Sequence, residues 1–335
     1  MLKYAIMFNF IEPEQNVLYP ASFIGLLETP IEIEYRRNQQ YEDVDGNRYL
    51  EDNGNFFGLS FQTTEERYLL LENLPNKGRT LNETFILKAK DSKTGNIVAT
   101  KTGPMHLLIK EAQVMAQVIH PNIAQFIGLA ASINTDPCLI LEWLHGGTLE
   151  DQLKGNKEIS ISRIAKIFND TAMAVNHAHQ EGHLHGDIKP QNIMFNERKQ
   201  TKVIDFGNSF PLIESSSSAP DIECACTIDY APPEQISLAS KGQGRLHIQS
   251  DIYSLAAVMY GTLTLEVDAL AKMFRDLFVE EKDTFIQLSK QHQEILTQSK
   301  QKLLSECLRR ALAFDYHNRH NSVMEFNLEV QEILA

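Results

Sequence analysis

The chain has 335 residues, 43% of them hydrophobic and 22% charged, which allows a sizeable core and is long enough for two packed units. A formal net charge of −13 argues against a nucleic-acid binder, because proteins that grip a phosphate backbone present clustered Lys and Arg. No apolar run approaches the roughly 20 residues needed to span a bilayer, and the apolar stretch from Ala5 to Ile11 lacks the core length and cleavage site of a secretory signal, so no membrane anchor is expected.

Residues 1–65 read as an extension of short strands and turns. Ala5 to Ile11 reads as a strand, Ile31-Glu32-Ile33-Glu34-Tyr35 alternates, and Asp45-Gly46-Asn47 is a hairpin-turn signal. Asp43-Val44-Asp45-Gly46 opens like a calcium loop but lacks the later ligands, so a turn is predicted. The extension is expected to pack on the unit that follows it.

Residues 66–141 are predicted to be mostly strands with one helix. Lys88 to Asn96 reads as a strand end and a hairpin turn around Gly95, leading into the strand Val98-Ala99-Thr100-Lys101. Leu108, Ala112, Met115, Val118 and Ile119 recur at helical spacing, and this helix is expected to end at His120-Pro121, where proline cannot continue it. An apolar strand, Cys138 to Leu144, then runs into His145-Gly146-Gly147, and residues 142–147 are expected to link two lobes.

Residues 148–335 should be helical. Ile161, Ile164, Ala165, Phe168, Ala172 and Val175 mark a core-facing helix. Asn192 to Phe195 and Thr201 to Ile204 read as two short strands joined by the polar turn 196–200, a hairpin that would bring Asn192 and Asp205 side by side. Ser215-Ser216-Ser217-Ser218 reads as a solvated loop tip, and the pattern from Val267 to Ala335 is nearly all helix with solvated polar faces. The four cysteines form no disulfide framework, which suits a reducing interior; Cys224-Ala225-Cys226 has no companion pair at ligand spacing and is not expected to bind metal.

The chemistry concentrates in His185-Gly186-Asp187-Ile188-Lys189-Pro190-Gln191-Asn192 and Val203-Ile204-Asp205-Phe206-Gly207, which carry two carboxylates and a carboxamide at fixed separations. The first resembles the kinase catalytic loop H-R-D-x-x-x-x-N, with Asn192 five positions after Asp187, and the second contains D-F-G. Val98 to Lys101 resembles the V-A-I-K strand, and Ala231-Pro232-Pro233-Glu234 looks like the A-P-E segment. Ser250 to Leu255 resembles the start of the buried central helix of the large lobe, and Arg319 the arginine that pairs with Glu234. These motifs run in family order from about Tyr68 to about Phe326, so the chain resembles a divergent eukaryotic-like serine/threonine protein kinase.

That resemblance implies an α+β bilobal fold and transfer of the γ-phosphate of ATP, with Mg²⁺, to protein Ser/Thr hydroxyls. It implies that Asp187 takes the acceptor's proton, that Lys189 neutralises the transferring phosphate, and that Thr227 hydrogen-bonds beside them. Asn192 and Asp205 would be the metal ligands. Lys101, paired with Glu111, would meet the phosphates; Ala99 and Met194 would be nucleotide-contacting positions; the backbones of Glu142 and Leu144 would meet the adenine edge. The cysteine usage makes the expected setting cytoplasmic, which suits a soluble regulator, a toxin or an effector delivered into another cell's cytosol.

Three departures from the family pattern carry expectations of their own. Residues 74–85 hold one glycine where the phosphate loop has three, which crowds the backbone approach to phosphate. Only ten positions separate Lys101 from Glu111, so the helix must begin almost at once. Gly186 replaces the Arg that reads a phosphate on the activation loop, so activity is expected not to need that phosphate. Two rival readings stand beside the kinase: a pseudokinase scaffold, and a small-molecule phosphotransferase of the aminoglycoside or choline kinase type, whose relatives use His-Gly-Asp.

Overall fold

The computed structural model describes residues 41–42, 48–49, 68–73, 85–132, 135–155, 159–212, 227–241, 245–265 and 288–335. Outside them lie the expected strands at 5–11 and 31–35, the turn 43–47, the glycine-poor segment 74–84, the four serines 215–218 and Cys224–Cys226. Strand β1 (Tyr41–Glu42) pairs antiparallel with β2 (Arg48–Tyr49). The chain divides into two compact units, residues 1–116 with 125–143, and residues 117–124 with 144–335.

The first unit carries a five-stranded antiparallel sheet. In chain order its strands are β3 (Tyr68–Asn73), β4 (Phe85–Asp91), β5 (Ile97–Thr102), β6 (Phe126–Ser132) and β7 (Thr135–Glu142), with spatial order β3-β4-β5-β7-β6. The β4–β5 connection shows why the chain turns there. Asp91 accepts hydrogen bonds from Lys93 N at 3.0 Å and Thr94 Oγ1 at 2.9 Å, and Gly95 adopts φ +76, a conformation that glycine enters without steric cost. Central β5 is buried from Val98 to Lys101, as a strand covered on both faces should be.

Helix α1 (Met105–Met115) packs on β6 and β7 and buries Leu108, Ala112 and Met115. It stops earlier than its periodicity predicts. Ala116 makes the last helical hydrogen bond, to Ala112 O, after which the chain turns, with Ile119 N donating to Gln117 O and Asn122 N to His120 Nδ1. Val118 therefore enters the core from the turn and Ile119 is 78% exposed, so Pro121 follows the helix end rather than causing it.

The second unit is mainly helical. Its helices are α2 (Leu149–Lys154), α3 (Ile161–Gln180), α4 (Pro233–Lys241), α5 (Ile248–Thr264), α6 (Lys290–Ile295), α7 (Gln298–Ala311) and α8 (Val323–Leu334). Thr148 and Asp151 form a capping box that starts α2, and the Ser160 hydroxyl caps α3. The predicted stripe of α3 joins the main core through Ile161, Ile164, Phe168, Ala172 and Val175, with Ala165 at its half-buried edge. Helix α5 is buried from Ser250 to Thr264 and forms the axis of that core. Among the described residues no helix is long and apolar enough to cross a membrane.

Two short strand pairs punctuate the helices of this unit. Strands β9 (Ile193–Phe195) and β10 (Thr201–Val203) form a hairpin, and β8 (His183–Leu184) pairs with β11 (Phe210–Pro211). The β9–β10 turn is set by Asn196, whose Oδ1 accepts from Arg198 N and Gln200 N, while Lys199 takes φ +59. These short pairs hold the loops that carry the chemistry.

Candidate active site

Lys101 and Ala99 lie two residues apart on β5 and so share a face of the sheet. Lys101 Nζ donates to both Glu111 carboxylate oxygens, at 2.9 and 2.7 Å, and both side chains are buried. Helix α1 begins three residues after β5 ends, which is how a separation of ten positions closes into an ion pair. Glu142 ends β7, where its N–H donates to Gln125 O and its carboxylate accepts from Gln125 N at 2.8 Å.

In the second unit a partly buried cluster surrounds Asp187, which is itself buried. Lys189 Nζ lies 2.6 Å from Asp187 Oδ2 and donates to Thr227 Oγ1 at 3.0 Å; the Thr227 hydroxyl lies 3.2 Å from Asp187 Oδ1. Asn192 Nδ2 donates to the Asp187 carbonyl at 2.8 Å and to its Oδ2 at 3.2 Å, which leaves the carboxamide oxygen to be offered to a cation. The hairpin ends beside this group: Ile204 N donates to Asn192 O at 3.0 Å, placing Asp205 next along the chain. Asp205 sits at φ +66, unusual for a residue with a side chain, and its Oδ1 accepts from Gly207 N at 3.2 Å. Met194 is half-buried on β9 and bridges to Thr148, and Leu144 is buried at the start of the second unit.

The loop is fixed from beneath by groups that no motif reading assigned a role. Asp251, wholly buried on α5, accepts from His185 N at 2.8 Å, Gly186 N at 2.9 Å and His179 Nε2 at 2.7 Å. Burial alone would push the Asp251 carboxyl up; the His179 hydrogen bond and charge, the nearby His185 ring and the Gly186 amide outweigh it and hold the carboxyl below its usual value. His185 packs on Phe206 with ring centres 4.8 Å apart, and its Nε2 donates to Ile204 O. Asn208 Nδ2 reaches Asp187 Oδ2 at 3.5 Å, the outer limit of a hydrogen bond. Asp251 fell inside a predicted buried helix, yet an acid in an apolar run signals a role only once its partners, 65 and 66 residues earlier, are placed.

Gly186 is more than a missing Arg. Its φ is +74, and a Cβ there would lie 2.6 Å from Asn208 O and 2.9 Å from the Phe210 ring. Farther from Asp187, Glu234 and Arg319 make a bidentate pair at 2.7 and 3.0 Å, with Ser250 Oγ also donating to Glu234.

A five-stranded sheet with its helix in one unit, and a helical unit bearing the Asp187 cluster, define an α+β protein of the bilobal kinase class. A family model described as the protein kinase domain matches residues 80–323, and the chain belongs to that family. The chain is similar to serine/threonine-protein kinase PknB of Mycolicibacterium smegmatis, 34% identical over 161 residues, or 47% of this chain and 25% of that protein. It is also similar to CBL-interacting protein kinase 24 of Oryza sativa subsp. japonica, 29% identical over 213 residues, or 59% and 46%. A probable PknB of Bifidobacterium longum is 28% identical over 267 residues, or 72% and 36%. The chain therefore spans between a quarter and under half of these relatives' lengths.

Proposed function

We propose that the protein transfers the γ-phosphate of ATP to serine or threonine hydroxyls of protein substrates in the cytoplasm, and that it does so without activation-loop phosphorylation. The observation that carries this reading is the buried Asp187 carboxylate held by Lys189, Thr227 and Asn192 in one partly buried network. Such a carboxylate can orient an acceptor hydroxyl and take its proton as the oxygen attacks phosphorus.

Each other residue has a task that follows from its chemistry. Lys189 offers a cation next to the attacking oxygen, where charge develops on the phosphoryl group. Thr227 ties Lys189 and Asp187 into one geometry. Lys101, aimed by Glu111, supplies a point charge for the nucleotide phosphates, which are the main electrostatic burden of the substrate. Ala99, Met194 and the backbones of Glu142 and Leu144 are the proposed nucleotide contacts. Asn192 and Asp205 both present oxygen, the hard donor that Mg²⁺ prefers, so the residues present fit that ion. When bound, Mg²⁺ would neutralise charge on the phosphate oxygens.

Phosphate independence rests on Gly186. With no guanidinium at this position, the catalytic loop lacks a side chain to read a phosphorylated residue, and its backbone is already held by Asp251.

The test is incubation of the full chain with Mg²⁺ and γ-labelled ATP in the presence of dephosphorylated casein or of small alcohols. Label on protein Ser/Thr is expected, reduced at least about 10²-fold in Asp187→Ala. Label on the alcohols alone would favour a small-molecule phosphotransferase, and label on neither would favour a binding scaffold.

A further inference from the structure

We propose that Gln235 is a positioning residue for Asp187, acting through the Gly186–Asp187 peptide; its catalytic consequence rests on the reading of Asp187 as the proton acceptor. Gln235 sits on the first turn of α4 and is 3% exposed, and its Nε2 donates to Gly186 O at 2.7 Å. That carbonyl belongs to the peptide leading directly into Asp187. The other end of the same peptide is also held, because Asp187 N donates to His185 Nδ1 at 3.2 Å. The preceding peptide is anchored through Gly186 N on Asp251. Both peptides around the Gly186 Cα are thus pinned by buried side chains.

Glycine at this position creates the need for such a pin. Its left-handed φ of +74 is open to glycine at no steric cost, but glycine also brings the greatest backbone freedom and no side chain to restrain it. A swing of the peptide would carry the Asp187 Cα–Cβ bond with it. The Gln235 amide opposes that swing by giving a buried carbonyl its partner.

The same segment reaches the site a second way. Thr227 touches Asp187 and Lys189, and the turn from Thr227 to Ala231 is closed by Tyr230 N and Ala231 N donating to Thr227 O. Gln235 N donates to Pro232 O at the start of α4. One continuous stretch, 227–235, therefore holds the loop by a side-chain contact at Asp187 and by a backbone contact at Gly186. The Gln235 amide is neutral, so this tie is the same whether or not the protein carries phosphate.

The experiment compares wild type, Gln235→Met and Gln235→Glu in the full chain. Methionine keeps the volume and removes the donor; kcat should fall about 10- to 100-fold with KM for ATP unchanged, as expected for a displaced base rather than lost binding. Glutamate donates only when protonated, so kcat of Gln235→Glu relative to wild type should rise as pH falls. By NMR hydrogen exchange, Gln235→Met should lose protection at the Asp187 amide more than at the Gly186 amide. Wild-type kcat in the Met variant, or equal loss of protection at both amides, would overturn the proposal. If wild type transfers no phosphate, the proposed function fails and the exchange result alone decides whether Gln235 pins the peptide.

Discussion

Lys101 and Glu111 form an ion pair that water scarcely reaches, with side-chain exposures of 6% and 2%. Two charges withdrawn from solvent are tolerable only together, because removing one leaves the other without compensation. Glu111→Ala should therefore cost about 3–5 kcal/mol, read as a drop in urea unfolding free energy. Phosphotransfer by whatever remains folded should fall too, since Lys101 loses the group that aims it. The motifs pointed to this pairing while the short spacing between the two residues spoke against it, and the geometry that reconciles them was not legible. That depends on α1 starting at Met105, which the apolar periodicity beginning at Leu108 did not mark. Gly186 is a second single-residue case. Alanine there must adopt φ +74 and place its Cβ against Asn208 O, so Gly186→Ala should destabilise the second unit by about 1–3 kcal/mol, measured the same way.

Between elements, the α7–α8 contact carries a polar cluster at the rim of the apolar core, with His320 and Cys307 buried and Arg310, Glu325 and Glu329 partly open to water. His320 is wholly buried with Nε2 3.1 Å from a Glu329 oxygen, and Arg310 donates to Glu325 and lies 3.6 Å from Glu329. Burial pushes the His320 imidazole below its ordinary value, against the raising effect of Glu329. Cys307, on α7, has its thiol pushed up by burial and then by Glu329, so it stays protonated. Because the folded imidazole binds its proton less readily than the unfolded one, this contribution to stability is complete above the unfolded value of about 6.5 and is lost as pH falls through it. The urea midpoint should decline from pH 7.5 to 5.5, and His320→Gln should flatten that slope. Some slope should survive, because burial also lowers the imidazoles of His120, His183 and His247. None of this was readable beforehand: a periodic helical pattern from 267 onward showed which faces are apolar but not that a histidine between two helices is sealed inside.

Across the described residues, features set by near neighbours in sequence were the legible ones, although the end of α1 was not. The hairpin that places Asn192 beside Asp205 needs only two short strands and a five-residue turn, and the buried stripe of α3 follows from periodicity alone. Groups that act across the chain were invisible. Asp251 and Gln235 reach Gly186 across 65 and 49 residues, and neither residue type announces such a reach. Independence from phosphate is a property of the intact chain, since it is how the protein responds to its surroundings. Phosphatase treatment of purified protein should leave its specific activity unchanged, and replacing Ser215 through Ser218 with alanine should do the same; a loss restored by glutamate at those four positions would contradict it.

The backbone around Gly186 leaves no room for a side chain to grow. Strand β11 pairs with β8, and the Asn208 carbonyl and the Phe210 ring stand where a new side chain would have to emerge. Installing a phosphate-reading arginine in this scaffold would thus be a matter of re-laying the stretch from 208 to 211 first, and substitution at 186 only afterwards.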